Sequence, residues 1–477
     1  MRGSRVKQAP AATKPIPTLA PGDVVEIECT DMIAKSGQAV GRANGMVVYV
    51  FGPIPPERAR VRIQAVKARY AVGELLELLS HSTDRAEPFC DVFGTCGGCQ
   101  LQHMTYSAQL RWKRNVVHNA LRRIGGIVEG RVGATIGMDF PQAYRNKMAL
   151  VVDSTDEKAS FGFYAARSHD VVPIETCPIV EPALDGCLGG LWEAADDPGS
   201  APAFQGARHV VARAGRPSGE AVVSITTERA WRGEASSVTA LARHLPGVVG
   251  ITNTFELSSD NAIVGRRKFA LYGGHQVEEV IEGLRFRISP ASFFQVNGEI
   301  VARIYRFIGA GAERLQSVGD LYCGSGTFSL FFARAGARVV GVDENAAAIR
   351  EARANASANE LDSKTTFVAE RVESAVRKKT FADLTGEADL LFLDPPRKGV
   401  DAAALTGIAA LRAPYVWYLS CDPATLARDL AQLLAAGYRL EGVQPFDMFP
   451  QTGHVEALAA LRLADAEPFG LDFAEAE

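Results

Sequence analysis

From about residue 300 the chain repeats one unit that few architectures accept: a short β-patterned run, a turn, then a helix-patterned run. SVGDLY passes through a glycine-rich turn into SLFFARA, and RVVGVD passes into AAAIREARANASAN. ADLLFLDPP and APYVWYLSCDP continue the series. A helix between successive strands makes those strands parallel, so residues 301–465 are expected to form a doubly wound, Rossmann-like α/β sheet. The last two runs, YRLEGVQPFDM and HVEALAALRL, lack an intervening helix and are expected to form a hairpin. Its final strand would lie antiparallel beside the APYVWYL strand. In such a sheet every parallel strand ends on one rim, and ligands bind there.

A chain of 477 residues exceeds what one core usually serves, so further domains are expected upstream. Residues 19–79 carry five short β-patterned runs between Gly and Pro turns, which predicts a small barrel of the OB type. Residues 80–300 are expected to form a central antiparallel α+β domain with one helix in its strand-rich part. A cysteine cluster precedes that part, followed by a helix over about 107–124. Leu110, Val117, Leu121 and Ile124 share one face of it, with Arg111, Lys113, Arg114, Arg122 and Arg123 displayed around it. Residues 1–18, basic and rich in Ala and Pro, are expected to be a disordered tail, and 466–477 a loose acidic one. There is no long apolar run and no apolar N-terminal signal region, so a cytoplasmic protein without membrane association is expected. A monomer is the expected state, with no sequence feature that argues for it.

The formal charge of −4 hides an asymmetry: residues 1–150 hold 20 Lys and Arg against 12 Asp and Glu, and the remainder holds 31 against 43. A basic front on an acidic body fits an RNA-docking module joined to a catalytic one, and solvated surface charge gives the same pattern.

GDLYCGSGTF, residues 319–328, is a strand running through Gly324 and Gly326 into a helix. These glycines let the backbone approach a ligand whose charge the helix N-terminus can meet. Asp343, closing RVVGVD, stands where a carboxylate can accept from both hydroxyls of a ribose. A dinucleotide loop needs a third glycine where this chain has Ser329, so S-adenosylmethionine (SAM) is the expected cofactor rather than NAD.

Two Asp-Pro steps close neighbouring strands, at Asp394 in FLDPPRKG and at Asp422 in SCDPATL. Together they bring Asp394 and Cys421 to the rim, and the hairpin would bring His454 and Glu456 there too. A lone cysteine at a strand end is most often a small buried hydrophobe. A thiol among carboxylates beside a methyl donor, however, suits methylation of uracil at C5. That carbon is a poor nucleophile until a thiolate adds at C6, and the C5 proton must afterwards leave to a base. Cys421 is the candidate nucleophile and Glu456 the candidate base.

SCDPATLARDL, FLDPPRKG, SPASFFQVN, DLYCGSGTFSL and GHVEALAAL together resemble the RNA uridine C5-methyltransferases, specifically the iron-sulfur type that acts on 23S ribosomal RNA. The resemblance spans about 19–463 and includes a front domain similar to the TRAM domain, an RNA-binding barrel. It implies the same nucleophile and base, and SAM contacts at Gln295, Tyr322, Asp343 and Asp394, beside Gly324. Amino-directed methyltransferases carry DPPY, whose ring stacks on the base; Arg397 at that position argues against them. Many members have Asn after the nucleophile where this chain has Asp422, whose charge would disfavour a nearby thiolate. An RNA-binding or assembly factor with a silent methyltransferase fold is a rival reading, as is 5-methyluridine formation in tRNA.

Cys90, Cys96 and Cys99 in FCDVFGTCGGCQ form a soft-metal pattern that wants a fourth ligand, with Cys177 and Cys187 the nearest candidates downstream. Spacing alone fits zinc equally well. The resemblance selects Cys177, in a CPI context, and implies a [4Fe-4S] cluster. Cys29, Cys187 and Cys323 are expected to be packing residues. A uracil in folded RNA must be flipped out to meet Cys421. Phe293 and Phe294 could stack on it or belong to a core, and the barrel and the Arg-rich helix would hold phosphates.

Overall fold

A computed structural model describes residues 19–128, 130–154, 158–259, 262–378 and 388–473. They fall into two compact units, 19–87 with 103–105, and 88–102 with 106–473. The expected tail over 1–18 lies outside the described residues.

The first unit holds β1 (Val24–Glu28), β2 (Asp31–Met32), β3 (Ala39–Ala43), β4 (Met46–Val50), β5 (Arg58–Val66) and β6 (Tyr70–Leu78). The sheet order is β1-β5-β6-β4-β3-β2. Because β1 and β2 are two halves of one bent strand, pairing with β5 and β3 respectively, the sheet closes on itself. It has six strands where the turn spacing predicted five, in the barrel-like arrangement expected. Asn44 and Gly45 both take positive φ and turn β3 into β4, as a two-residue hairpin loop requires. Along β5 the pleat sends Ala59, Val61 and Ile63 inward and Arg58, Arg60 and Arg62 outward.

Those arginines correct one expectation. Arg58 pairs with Glu26 at 2.9 Å, Arg62 with Glu74 at 3.6 Å, and Arg60 with Glu77. Residues 19–87 carry 8 Lys and Arg against 9 Asp and Glu, so this barrel is not basic. The front surplus sits in the N-terminal tail and in residues 92–128, which hold five Lys and Arg and no acid.

In the second unit β8 (Lys147–Asp153), β9 (Ser160–Tyr164), β10 (Val171–Pro173), β11 (Ala207–Gly215), β12 (Glu220–Thr227), β13 (Val248–Phe255) and β14 (Arg267–Gly273) form a sheet ordered β10-β9-β8-β11-β12-β13-β14. Neighbours are antiparallel except β12 and β13, which are parallel. Two helices, α2 (Pro182–Asp196) and α3 (Ala235–His244), pack on it where one was expected. Leu188, Leu191 and Leu241 bury with Leu150, Val210 and Ile251 to make that core. A hairpin of β15 (Val277–Ile281) and β16 (Leu284–Ile288) follows, then α4 (Gly298–Ala312).

The doubly wound sheet contains β17 (Ser317–Leu321), β18 (Arg338–Asp343), β19 (Thr365–Ala369), β20 (Leu390–Leu393), β21 (Tyr415–Ser420), β22 (Tyr438–Phe446) and β23 (Glu456–Leu463). Between them run α5 (Thr327–Ala335), α6 (Ala346–Ala358), α7 (Val372–Ala375), α8 (Ala402–Ala410) and α9 (Pro423–Ala435). The order is β19-β18-β17-β20-β21-β23-β22, with β23 antiparallel to both neighbours. An eighth strand joins from far upstream: β7 (Arg131–Val132) pairs with β22.

The helix expected over 107–124, α1 (Tyr106–Arg123), packs against α9 and belongs with this sheet. Val117 and Leu121 lie in one core with Leu426 and Leu430. Two residues of the expected span reverse their places: Lys113 is fully buried, and Ile124, just past the helix end, is exposed. The expected loose tail is packed over 466–473. Phe469 meets Trp417 edge-on at 4.7 Å and Phe473 meets Phe307 at 5.7 Å, because both rings bury apolar area against the sheet.

Candidate active site

At the end of β17 the chain turns through Tyr322, Gly324 and Gly326, all at positive φ, and enters α5. Glycine takes that conformation freely and tyrosine does not, so Tyr322 carries local strain at the rim. Gly324 N–H donates to Asp343 Oδ2 at 3.0 Å and Asn345 N–H to Oδ1 at 2.8 Å, which fixes the carboxylate at the end of β18. A cavity of about 240 Å³ opens here, lined by Tyr322, Gly324, Asp343, Asp394 and Phe293 among others. Phe294 is buried in the core against Phe286, while Phe293 is 68% exposed at the cavity.

Gln295 does not line this cavity, but its Nε2 donates to Asp394 Oδ2 at 3.1 Å. The loop carrying it is pinned from the central sheet. Asn146 Nδ2 donates to Gln295 O, and the buried Arg213 donates through Nη2 to Ser292 O. Sequence reasoning missed Asp320, a buried carboxylate under the glycine turn that Ser329 Oγ holds by a hydrogen bond. Burial raises Asp320 to about 7, against the pull of that bond and with Asp394 and Asp343 adding to the rise. Burial likewise raises Asp394 to about 7, with Gln295 opposing and Asp343 assisting. The rim is therefore a pool of negative charge kept partly protonated by its own burial.

Asp394, Cys421 and Glu456 meet because β20, β21 and β23 are adjacent. The β21–β23 register ends at Ser420↔Ala457, so Cys421 and Glu456 stand opposite one another one step further on. Burial pushes the Cys421 thiol up to about 12; Glu456 and Asp394 add to the rise, Arg397 opposes it and Asp422 adds least. Glu456 is raised well above the usual carboxylate range by burial and then by Asp394, again with Arg397 opposing. Arg397 is thus the cation that faces both groups, a role the sequence did not disclose. Asp422 caps α9, its Oδ1 accepting from Ala424 N–H at 3.0 Å and Thr425 N–H at 3.1 Å, so its charge is met by a helix N-terminus.

Cys90, Cys96, Cys99 and Cys177 line a second cavity of about 320 Å³, with Arg145, Lys147, Arg397 and His454 among its other walls. Burial raises Cys99 to about 12 and Cys177 to about 11, and the thiols raise one another. Among the described residues no group of three or more His, Cys, Asp or Glu is arranged to hold a metal ion. Cys29, Cys187 and Cys323 are all buried, as packing residues would be.

A sheet of this order, with a glycine turn and an acidic residue closing the second strand beside it, defines a SAM-dependent methyltransferase. Residues 273–463 match the family described as tRNA (Uracil-5-)-methyltransferase. An uncharacterized RNA methyltransferase of Clostridium acetobutylicum is 34% identical over 445 residues, spanning 91% of this chain and 96% of that protein. One of Halalkalibacterium halodurans is 37% identical over 454 residues, spanning 92% and 97%. The solved Pyrococcus abyssi tRNA (uracil-54, C5)-methyltransferase, in complex with S-adenosyl-L-homocysteine, shares the fold with TM-score 0.69 and 23% identity over 92% of this chain and 100% of that one. The chain belongs to the RNA uracil-5-methyltransferase family and is a SAM-dependent enzyme acting on RNA. No helix among the described residues is long and apolar enough to cross a membrane.

Proposed function

We propose that this enzyme forms 5-methyluridine in 23S ribosomal RNA, with Cys421 as nucleophile and Glu456 as general base. The observation that carries the reading is the convergence of Cys421, Glu456 and Asp394 beside the acid-lined cavity. Cys421 Sγ adds to C6 of the flipped uracil, and the resulting enolate takes the methyl group from the SAM sulfonium at C5. Glu456, which must be in its ionised form for this step and has Arg397 to favour that form, then accepts the C5 proton, the C5–C6 double bond re-forms, and the C6–S electron pair returns to sulfur. Burial favours the protonated thiol, so its proton must pass to a neighbouring group or water as the C–S bond forms. Gln295, Tyr322, Gly324, Asp343 and Asp394 hold SAM, whose positive charge suits the carboxylate rim.

The front barrel serves as a TRAM-type domain, and Cys90, Cys96, Cys99 and Cys177 hold a [4Fe-4S] cluster. What supports the reading is that the four cysteines line one cavity, the number of thiolates a four-iron cluster takes. Such a cluster would fasten residues 90–99 to the central domain. Protein purified without oxygen is expected to be brown, with iron and acid-labile sulfide; a colourless zinc protein would refute the cluster.

The nucleophile is tested with RNA from a gene-deletion strain grown in 5-fluorouracil. The fluorine at C5 cannot leave as a proton does, so wild-type protein should stall as a covalent RNA adduct. An equal adduct with Cys421→Ala would overturn the assignment. A tRNA substrate is the second reading, favoured by the names of the matched family and of the Pyrococcus enzyme. Mapping 5-methyluridine in the deletion strain separates the two.

A further inference from the structure

Glu456 is preceded by nine residues, 447–455, that form neither helix nor strand, yet six of them are fastened from outside the loop. Asp447 N–H donates to Ile136 O at 2.9 Å, and Lys113 Nζ binds Asp447 Oδ1 and Phe449 O. Asn297 Nδ2 donates to Met448 O at 3.3 Å and Tyr144 O–H to Pro450 O at 3.0 Å. Gln451 is the hub. Gln109 Nε2 donates to Gln451 Oε1 at 2.9 Å while Gln451 N–H donates back to Gln109 Oε1 at 3.2 Å. Gln451 Nε2 reaches Pro141 O, and Gln451 O accepts from the N–H groups of both Gln100 and Leu101 at 3.0 Å. Gly453 N–H donates to Gln100 Oε1 at 3.2 Å, next to Cys99 in the chain.

Gln109, Gln451 and Lys113 are buried, and Gln451 sits at φ 68°, where a side chain is strained unless its surroundings hold it. A loop that needed only to connect β22 to β23 could be shorter and softer. From this geometry we infer that Gln109 and Gln451, with Lys113 and Gln100, are positioning residues for proton removal, holding the carboxylate of Glu456 against C5. The inference rests on Glu456 being the base. It concerns the step in which the C5–H electron pair becomes the C5–C6 bond, the proton goes to Glu456, and sulfur leaves C6 with its electrons. SAM binding and the attack of Cys421 do not depend on the clamp.

The test uses Gln109→Ala and Gln451→Asn in the full chain; asparagine tolerates the positive φ but is too short to reach both partners. Each is compared with Glu456→Gln on total RNA from the deletion strain. Both variants should keep wild-type SAM affinity and form the 5-fluorouracil RNA adduct at the wild-type rate. The turnover rate should fall about tenfold to a hundredfold with KM falling alongside it and kcat/KM little changed, because the slowed step follows adduct formation. Ordinary RNA should then accumulate as a methylated covalent adduct, as with Glu456→Gln. If Glu456→Gln accumulates that adduct and the clamp variants do not, the clamp is overturned and the base assignment stands. If Glu456→Gln does not accumulate it either, the base assignment falls and the clamp with it.

Discussion

At the scale of single residues, Asp422 does disfavour the Cys421 thiolate as its charge predicts, but it adds least of the groups that raise it, and its capping geometry shows why. Asparagine and aspartate are equally good helix caps, and both oxygen geometries serve Ala424 and Thr425, so the charge falls on N–H groups before it falls on Cys421. Asp394 carries the sharper consequence. With Asp320 and Asp394 raised to about 7 by burial, the cofactor-free rim holds protons that an exposed carboxylate would have lost. SAM brings a sulfonium, which favours the ionised forms. Its affinity should therefore rise as pH rises from about 6 to 8 through those pKa values, with protons released on binding. Calorimetry in buffers of different ionisation enthalpy reads that release. Binding that is flat across this range, with none, would contradict the picture. The candidate residues Cys421, Asp394 and Asp343 were legible because strand ends in a parallel sheet share one rim. Asp320 and Arg397 were not, since nothing in their neighbours' identities says which way a side chain faces.

At the scale of elements, α1 marks the limit of periodicity. Its pattern correctly gave a helix and the inner faces of Val117 and Leu121, yet placed Lys113 outside. The reason is that Lys113 binds Asp447, 334 positions away, and a tertiary partner leaves no trace in a helical wheel. The same blindness hid β7, a two-residue strand whose partner β22 lies at the other end of the chain. The buried pair also makes α1 a structural lever. Lys113→Ala leaves Asp447 buried without its cation and should cost about 3–5 kcal/mol in denaturant unfolding. Adding Asp447→Leu removes the stranded charge and should recover much of that loss. A single variant as stable as the wild type would mean that water reaches Asp447 and that the pair holds α1 weakly.

At the scale of the whole molecule the useful quantity is where the positive charge lies. Net charge by segment pointed to the front third, and OB-type barrels bind nucleic acid, so the barrel was the natural place to put it. The barrel's own strands defeat that inference, because the arginines of β5 are matched by glutamates on β1 and β6. What remains is residues 92–128, with no acid, from which α1 presents Arg111, Asn115, His118 and Arg122 outward at spacings of three and four. That row forms one exposed stripe, and its inner face is the clamp on the loop before Glu456. Phosphates held there would be counted by the salt dependence of binding, whose slope falls by roughly 0.7–0.9 for each contact removed. Arg122→Ala should thus flatten the slope of log affinity against log salt by about 0.7–0.9 and weaken binding most at low salt. Arg60→Ala, whose charge Glu77 already meets, should leave the slope unchanged. Were the two results exchanged, the barrel would be the phosphate-binding face and α1 a helix whose arginines merely complement its own C-terminal dipole.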